Sequence, residues 1–164
     1  MTDARVYAGA ALIGAAAGLR SFTAPAVVSE FFRSGALAAE VEGLQFVRRP
    51  AIAHTITALA IGEAIADKLP FIPNRTDAVP LIGRAISGGL SAAAVCSSNR
   101  RSPLWGALLG AVSAVGAAYA AYELRRRASK ALCLPDAVIA IAEDALAVTS
   151  SWAVVSRLGT AHDF

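Results

Sequence analysis

The chain has 164 residues, of which 56% are hydrophobic and 16% are charged, with a formal net charge of +3. Soluble domains average about 25% charged residues, so this composition disfavours a soluble domain and predicts a single all-α membrane domain. The net positive charge does not indicate nucleic-acid binding, because the basic residues stand in short clusters between apolar runs and form no basic face.

Apolar segments separated by polar connections predict a polytopic bundle of about five transmembrane helices. The predicted helices cover residues 6–32, 51–69, 77–97, 103–130 and 136–158. The first resembles the apolar region of a signal peptide, but we expect it to be retained as a helix that is broken between Arg20 and Pro25. A broken helix at membrane depth requires surrounding protein or a wet cavity. Alternatively, Arg20 extends from a short, tilted helix to the membrane surface.

Residues 62–84 cover the end of the second predicted helix, the connection after it and the start of the third. This region contains many ionisable residues beside apolar segments. Such groups are costly in a membrane and usually face a partner, a cavity or water. Glu63 and Asp67 stand four residues apart, and therefore on one helix face. Two carboxylates this close favour a cation or an arginine between them. The turn after this helix is predicted to contain Lys68, Pro70 and Asp77.

Further charges lie inside the third and fifth predicted helices, and we expect them to converge with those of the first two. The predicted polar core consists of Glu63, Asp67, Glu143, Asp144, Arg20 and Arg84. Glu63, Asp67 and His54 could bind a metal, but nine residues separate His54 from Glu63, and no metal-binding, nucleophile or cofactor-binding motif accompanies them. The sequence therefore favours neither an enzyme nor a metal site, and it leaves any cofactor unknown.

Glycine pairs predict close helix packing at Gly14 and Gly18 and at Gly106 and Gly110. The segments around these pairs resemble each other, which is compatible with a two-helix repeat inverted about a central helix, as in many transporters. The alternative is that helices rich in alanine and glycine resemble one another by composition alone. Lysine and arginine are nearly balanced between the two sides, and we expect the arginine run at 125–127 to set the orientation, with the N-terminus in the cytoplasm. The alternative is that the protein inserts in both orientations and forms an antiparallel dimer.

Three motifs carry a resemblance to a known family: GLRSF at residues 18–22, EAIADKLPFIPNRTD at 63–77 and AIAEDALAV at 140–148. In this order they resemble the DUF4126 family of small bacterial integral membrane proteins. Members carry GLR near the first helix, an E-x-x-x-D-K-x-P segment and an AED-type motif in the last helix. The resemblance implies a multi-helix protein of the bacterial cytoplasmic membrane. It matches family motifs to Arg20, Glu63, Asp67, Lys68, Pro70, Glu143 and Asp144. The chain departs from the family pattern at residues 71–75.

These observations lead to the hypothesis of a small transporter or channel for an ion or small solute. The carboxylates would be proton or cation sites, and the arginines counter-charges or anion ligands. The alternative is a non-catalytic structural, assembly, or lipid- or pigment-associated subunit, in which buried pairs such as Arg20 with Glu143 fix the packing. The expected partners are the lipid bilayer and either further copies of the chain or a larger membrane complex. A polar cavity reaching Glu63 and Glu143 favours transport.

Overall fold

The computed structural model describes residues 2–37, 49–66, 78–132 and 136–159, and all regular structure in these ranges is helical. The helices are α1 (Asp3–Leu19), α2 (Thr23–Arg33), α3 (Pro50–Ala66), α4 (Ala78–Ser98), α5 (Pro103–Leu132) and α6 (Asp136–Gly159). Among them, α4, α5 and α6 are long and apolar enough to cross a membrane by length and composition, and α3 is a shorter apolar helix. The fold is therefore compatible with a membrane protein, as the composition predicts.

The predicted count of five helices is not confirmed, because the first predicted helix is two separate helices. The first, α1, ends at Leu19, the backbone is extended at Arg20, and α2 begins at Thr23. Pro25 stands in the first turn of α2, where a backbone N–H has no partner within the helix and proline is tolerated. The break is present, but Pro25 belongs to the start of a new helix and does not interrupt an old one.

The helices α1 and α2 form an antiparallel hairpin. Gly9, near the start of α1, packs against Leu158, near the end of α6. Ala36, just after α2, also lies beside the end of α6, at Gly159. Between these two points, Arg20 contacts Asp144 toward the beginning of α6. The chain therefore enters along α1, turns at Arg20, and returns along α2 to the end of the bundle at which it started.

The bundle has two ends. At the first end, Asp3 forms an ion pair with Arg101, at 2.7 Å, in the connection between α4 and α5. At the second end, α5 ends and α6 begins, and Arg125 extends from near this end to Glu143, at 3.7 Å. The arginine run at 125–127 thus lies at the opposite end from the start of α1. The predicted cytoplasmic N-terminus relied on both being on one side, so the hairpin removes that argument.

The glycine pairs mark the tightest packing in the described helices, as predicted. A Cβ atom added at Gly14 would lie 2.5 Å from the Cα of Gly110, and one added at Gly88 would lie 2.9 Å from the Gly110 carbonyl oxygen. One added at Gly106 would lie 2.7 Å from the sulfur of Cys96. The backbones of α1, α4 and α5 therefore touch, and we call these three helices the glycine-packed core. Small residues are what permits such approach in membrane bundles.

The inverted repeat is not confirmed by this packing. Gly14 of α1 faces Gly110 of α5, and Gly18 faces Ala114, so the residue numbers rise together along the two helices. The helices α1 and α5 are therefore parallel, whereas an inverted repeat would make them antiparallel. The similarity of their sequences is explained by the small residues that both need at a shared contact.

Candidate functional site at the turn between α1 and α2

The turn at residues 20–22, which we call the charged turn, lies deep in the bundle. The hydroxyl of Ser87 donates a hydrogen bond to the carbonyl oxygen of Ser21. Ser87 stands near the middle of the 21 residues of α4, a helix about 31 Å long at 1.5 Å per residue. The chain therefore reverses direction about halfway along a candidate membrane span.

Glu63 of α3 binds the backbone at this turn with both carboxylate oxygens. The N–H of Ser21 donates to Oε1 at 2.8 Å, and the N–H of Phe22 donates to Oε2 at 2.9 Å. Both amides precede α2, whose positive dipole end favours a negative charge. Away from water, unsatisfied amides would cost about 1–3 kcal/mol each. Glu63 therefore replaces the intrahelical bonds that the break removes.

Arg20 connects the charged turn to α6 and α3. Its Nε donates to Oδ1 of Asp144, with which it also forms an ion pair. Its Nη1 donates to the backbone carbonyl oxygen of Glu63 at 3.3 Å. The Arg20 side chain is only 1% exposed, which excludes the alternative that it extends to the membrane surface, whereas Asp144 is 24% exposed. A buried arginine of this kind needs its carboxylate partner, because an isolated charge in a low-dielectric interior is strongly disfavoured.

The polar core predicted from the sequence is brought together in part. Arg20, Glu63 and Asp144 meet at the charged turn. Glu143 is buried and pairs with Arg125 of α5, and Arg20 pairs with Asp144, the next residue along the chain. Consecutive helical residues point about 100° apart, so these two carboxylates face different neighbours.

The remaining predicted residues are placed as follows. Arg84 is 3% exposed and lies one turn before Ser87 in α4, on the way from the charged turn toward the second end. Asp67, Lys68, Pro70 and Asp77 lie outside the described residues. Within the described ranges, no three metal-ligating side chains come together.

A cavity of about 260 Å³ opens beside the charged turn, between α2, α3 and α6. The residues that line it include Arg20, Thr23, Val27, Thr57, Ala60 and Asp144. Its walls are mainly apolar, and the Arg20–Asp144 pair supplies its charge. The Thr57 hydroxyl is occupied within its own helix by the carbonyl oxygen of Ala53, at 2.9 Å. The residues that line this cavity include neither Glu63 nor Glu143, so it is not the polar cavity reaching both carboxylates that we expected of a transporter. It joins the Arg20–Asp144 pair to a mostly apolar chamber.

Two contributors to the site were missed in the sequence. Ser87 reads as one of several small residues in α4, and nothing in its spacing distinguishes it from Ser91. The backbone amides of Ser21 and Phe22 carry no side-chain signal. Pro25 was a usable signal, because proline in the first turn of a helix marks a helix start as often as it marks an interruption.

Comparison with known proteins identifies the family. The family model described as a domain of unknown function (DUF4126) matches residues 7–157, nearly the whole chain. The chain belongs to the DUF4126 family. The comparisons with curated proteins and with solved structures found no match. The matched region includes every residue of the charged turn and its three side-chain partners, so the site lies within the family domain.

Proposed function

We propose that this DUF4126 protein is a small integral membrane transporter or channel for an ion or small solute. The observation that supports this most directly is the reversal of the chain at the charged turn, halfway along a candidate span. Non-helical backbone at membrane depth is tolerated where it is buried in protein or lines a cavity, and transporters place such turns at their binding sites. Here the turn meets the cavity through Arg20.

In this proposal, the Arg20–Asp144 pair is the binding element and Glu63 is the positioning element. A cation or proton that enters the cavity competes with Arg20 for Asp144, and an anion competes with Asp144 for Arg20. Either event weakens the link between α6 and the turn, while Glu63 keeps the amides at the start of α2 satisfied. The cavity of about 260 Å³ is slightly below the range of about 300–1,000 Å³ that is typical of drug-sized ligands, which favours ions and small solutes.

The test is flux through the purified protein in liposomes, with proton flux measured by an internal pH dye and the uptake of small cations, small anions and neutral solutes measured by light scattering. We expect at least one flux to exceed that of empty liposomes. Asp144→Asn should reduce that flux at least about tenfold, since one buried charge contributes several kcal/mol. Glu123→Gln is the control, because Glu123 pairs with Arg126 and Arg127 on its own helix. Flux equal to that of empty liposomes, or an Asp144→Asn protein that transports like the wild type, contradicts the proposal.

A second function is favoured by one specific observation, which is that the charges of the turn are already bonded to the protein. Both oxygens of Glu63 accept backbone hydrogen bonds, and Asp144 pairs with Arg20. Such a network suits a structural or assembly subunit of a membrane complex, in which buried polar groups specify the geometry of the fold. In that case Asp144→Asn lowers stability and complex formation, and no variant alters any flux.

A further inference from the structure

A groove between α1 and α6 at the first end of the bundle combines two arginines with apolar walls. Its volume is about 550 Å³, and the residues that line it include Arg5, Ala8, Leu12, Ala153, Val154 and Arg157. Neither Arg5 nor Arg157 forms a side-chain ion pair or hydrogen bond with another residue in the described part of the chain. Both are exposed, so their guanidinium groups are available to a ligand.

The arrangement of the groove follows from the directions of the two helices. Arg5 lies in the first turn of α1, and Arg157 lies in the last turn of α6. Because these helices are antiparallel, both arginines lie at the same end of the groove. Leu12 and Ser150 lie about two turns deeper in their helices. The candidate span of α6 extends to Gly159, so the arginines lie where that helix leaves the hydrocarbon.

We propose that this groove binds an anionic phospholipid. Its phosphate would lie between Arg5 and Arg157, and the first part of an acyl chain would lie along Ala8, Leu12 and Ala153. Guanidinium groups bind phosphate oxygens with paired, charge-assisted hydrogen bonds, and basic pockets between membrane helices bind lipid headgroups. The charge at one end and the apolar wall below it match the division of a phospholipid into headgroup and chain.

The chain offers an internal control for a direct test, because it has two tryptophans. Trp152 belongs to the same stretch of α6 as Ala153 and Val154, whereas Trp105 lies in the first turn of α5. Both are about 60% exposed. Two single-tryptophan proteins, Trp105→Phe and Trp152→Phe, would be placed in phosphatidylcholine vesicles with a small fraction of phosphatidylglycerol that carries brominated acyl chains.

We expect the brominated phosphatidylglycerol to quench Trp152 more strongly than Trp105, and brominated phosphatidylcholine to quench the two equally. In the Arg5→Gln/Arg157→Gln protein, the affinity for phosphatidylglycerol should fall roughly 30-fold, about fivefold for each arginine. Arg126→Gln, an exposed arginine at the other end, should leave it unchanged. Equal quenching of both tryptophans by phosphatidylglycerol contradicts the proposal.

A steric variant separates the groove from simple attraction to surface charge. Ala153→Leu keeps both arginines and fills part of the apolar wall. If the groove holds the acyl chain, this variant weakens phosphatidylglycerol binding severalfold. In the wild-type protein, millimolar inorganic phosphate does not displace the bound lipid. If Ala153→Leu binds the lipid as the wild type does, or inorganic phosphate displaces it, the ligand is not held in the groove as a lipid, and the proposal is wrong.

Discussion

The glycine-packed core and the charged turn hold the same bundle together by different means. In the glycine-packed core, the backbones of α1, α4 and α5 touch at glycines, and the atoms nearest to these glycines belong to backbone and to small side chains. At the charged turn, α2, α3 and α6 meet through Arg20, Glu63 and Asp144. Close packing is rigid and tolerates no added volume, whereas charged hydrogen bonds can be exchanged for a ligand or a proton.

This difference assigns separate roles to the two regions. The glycine-packed core fixes the position of α1, and therefore the depth at which the turn lies. The charged turn holds α2 through hydrogen bonds and an ion pair. A molecule in the neighbouring cavity that carries donors or acceptors could replace one partner in these bonds. If this comparison is right, small added groups should harm the core most, and charge removal should harm the turn.

The largest expected effect is from Gly110→Val. The added side chain would meet the backbone of Gly88 and the Cβ of Ala92, both in α4, and neither can rotate away. We expect the free energy of unfolding to fall by about 3 kcal/mol or more, at the upper end for overpacking. Thermal unfolding in detergent, followed by circular dichroism, measures it. Gly116→Val is the matched control, because a Cβ at Gly116 of the same helix meets nothing within 4 Å. Equal losses of stability in the two variants would contradict the role of Gly110 in the glycine-packed core.

Asp144→Asn should be next in size. It leaves Arg20 buried without its countercharge, a change that costs about 3–5 kcal/mol for fully buried pairs. Because the Asp144 side chain is 24% exposed, we expect about 2–3 kcal/mol. In the double variant Arg20→Gln/Asp144→Asn no buried charge is left unpaired, so the loss should be smaller than in Asp144→Asn alone. A double variant that is less stable than the single variant shows that Arg20 does not depend on Asp144.

Glu63→Gln should reduce stability by about 1–2 kcal/mol. The amide retains one acceptor oxygen, but its NH₂ group faces an N–H donor, and charge-assisted bonds become neutral ones. Hydrogen exchange of the Ser21 and Phe22 amides should also become faster, and mass spectrometry of peptides that cover the turn detects this. Glu123→Gln, which loses only exposed pairs on one helix, should change neither measurement. Unchanged exchange at the turn in Glu63→Gln would show that the carboxylate does not hold these amides.

The smallest effect is expected from Ser87→Ala, about 1 kcal/mol, because the carbonyl oxygen of Ser21 loses its hydrogen-bond donor. Ser150→Ala is the comparison, since the Ser150 hydroxyl bonds only within its own helix, to the carbonyl oxygen of Leu146 at 2.5 Å. That control should stay within about 0.5 kcal/mol of the wild type. Equal stability of the two serine variants in thermal unfolding would show that the Ser87 hydrogen bond does not stabilise the charged turn.

The sequence predicted the helical class, a break between Arg20 and Pro25, and the glycine contacts, because each leaves a local signature in composition or spacing. It did not predict that the chain reverses at the break, since the reversal is decided by what α2 packs against. The sequence also did not predict that Arg20 pairs with Asp144. Spacing does not distinguish two adjacent acidic residues, and the rotation of α6 against α1 and α5 determines which carboxylate meets Arg20.

The most direct test of the account is the position of the two ends of the α1–α2 hairpin. In a protein with Cys96→Ala and Cys133→Ala, single cysteines would be introduced at Thr2, Ser34 and Arg127 and labelled with a membrane-impermeant maleimide in oriented vesicles. Because α1 and α2 form a hairpin, we expect positions 2 and 34 to be labelled from the same side of the membrane and position 127 from the opposite side. Labelling of positions 2 and 34 from opposite sides would contradict it, because the first two helices would then cross the membrane as one.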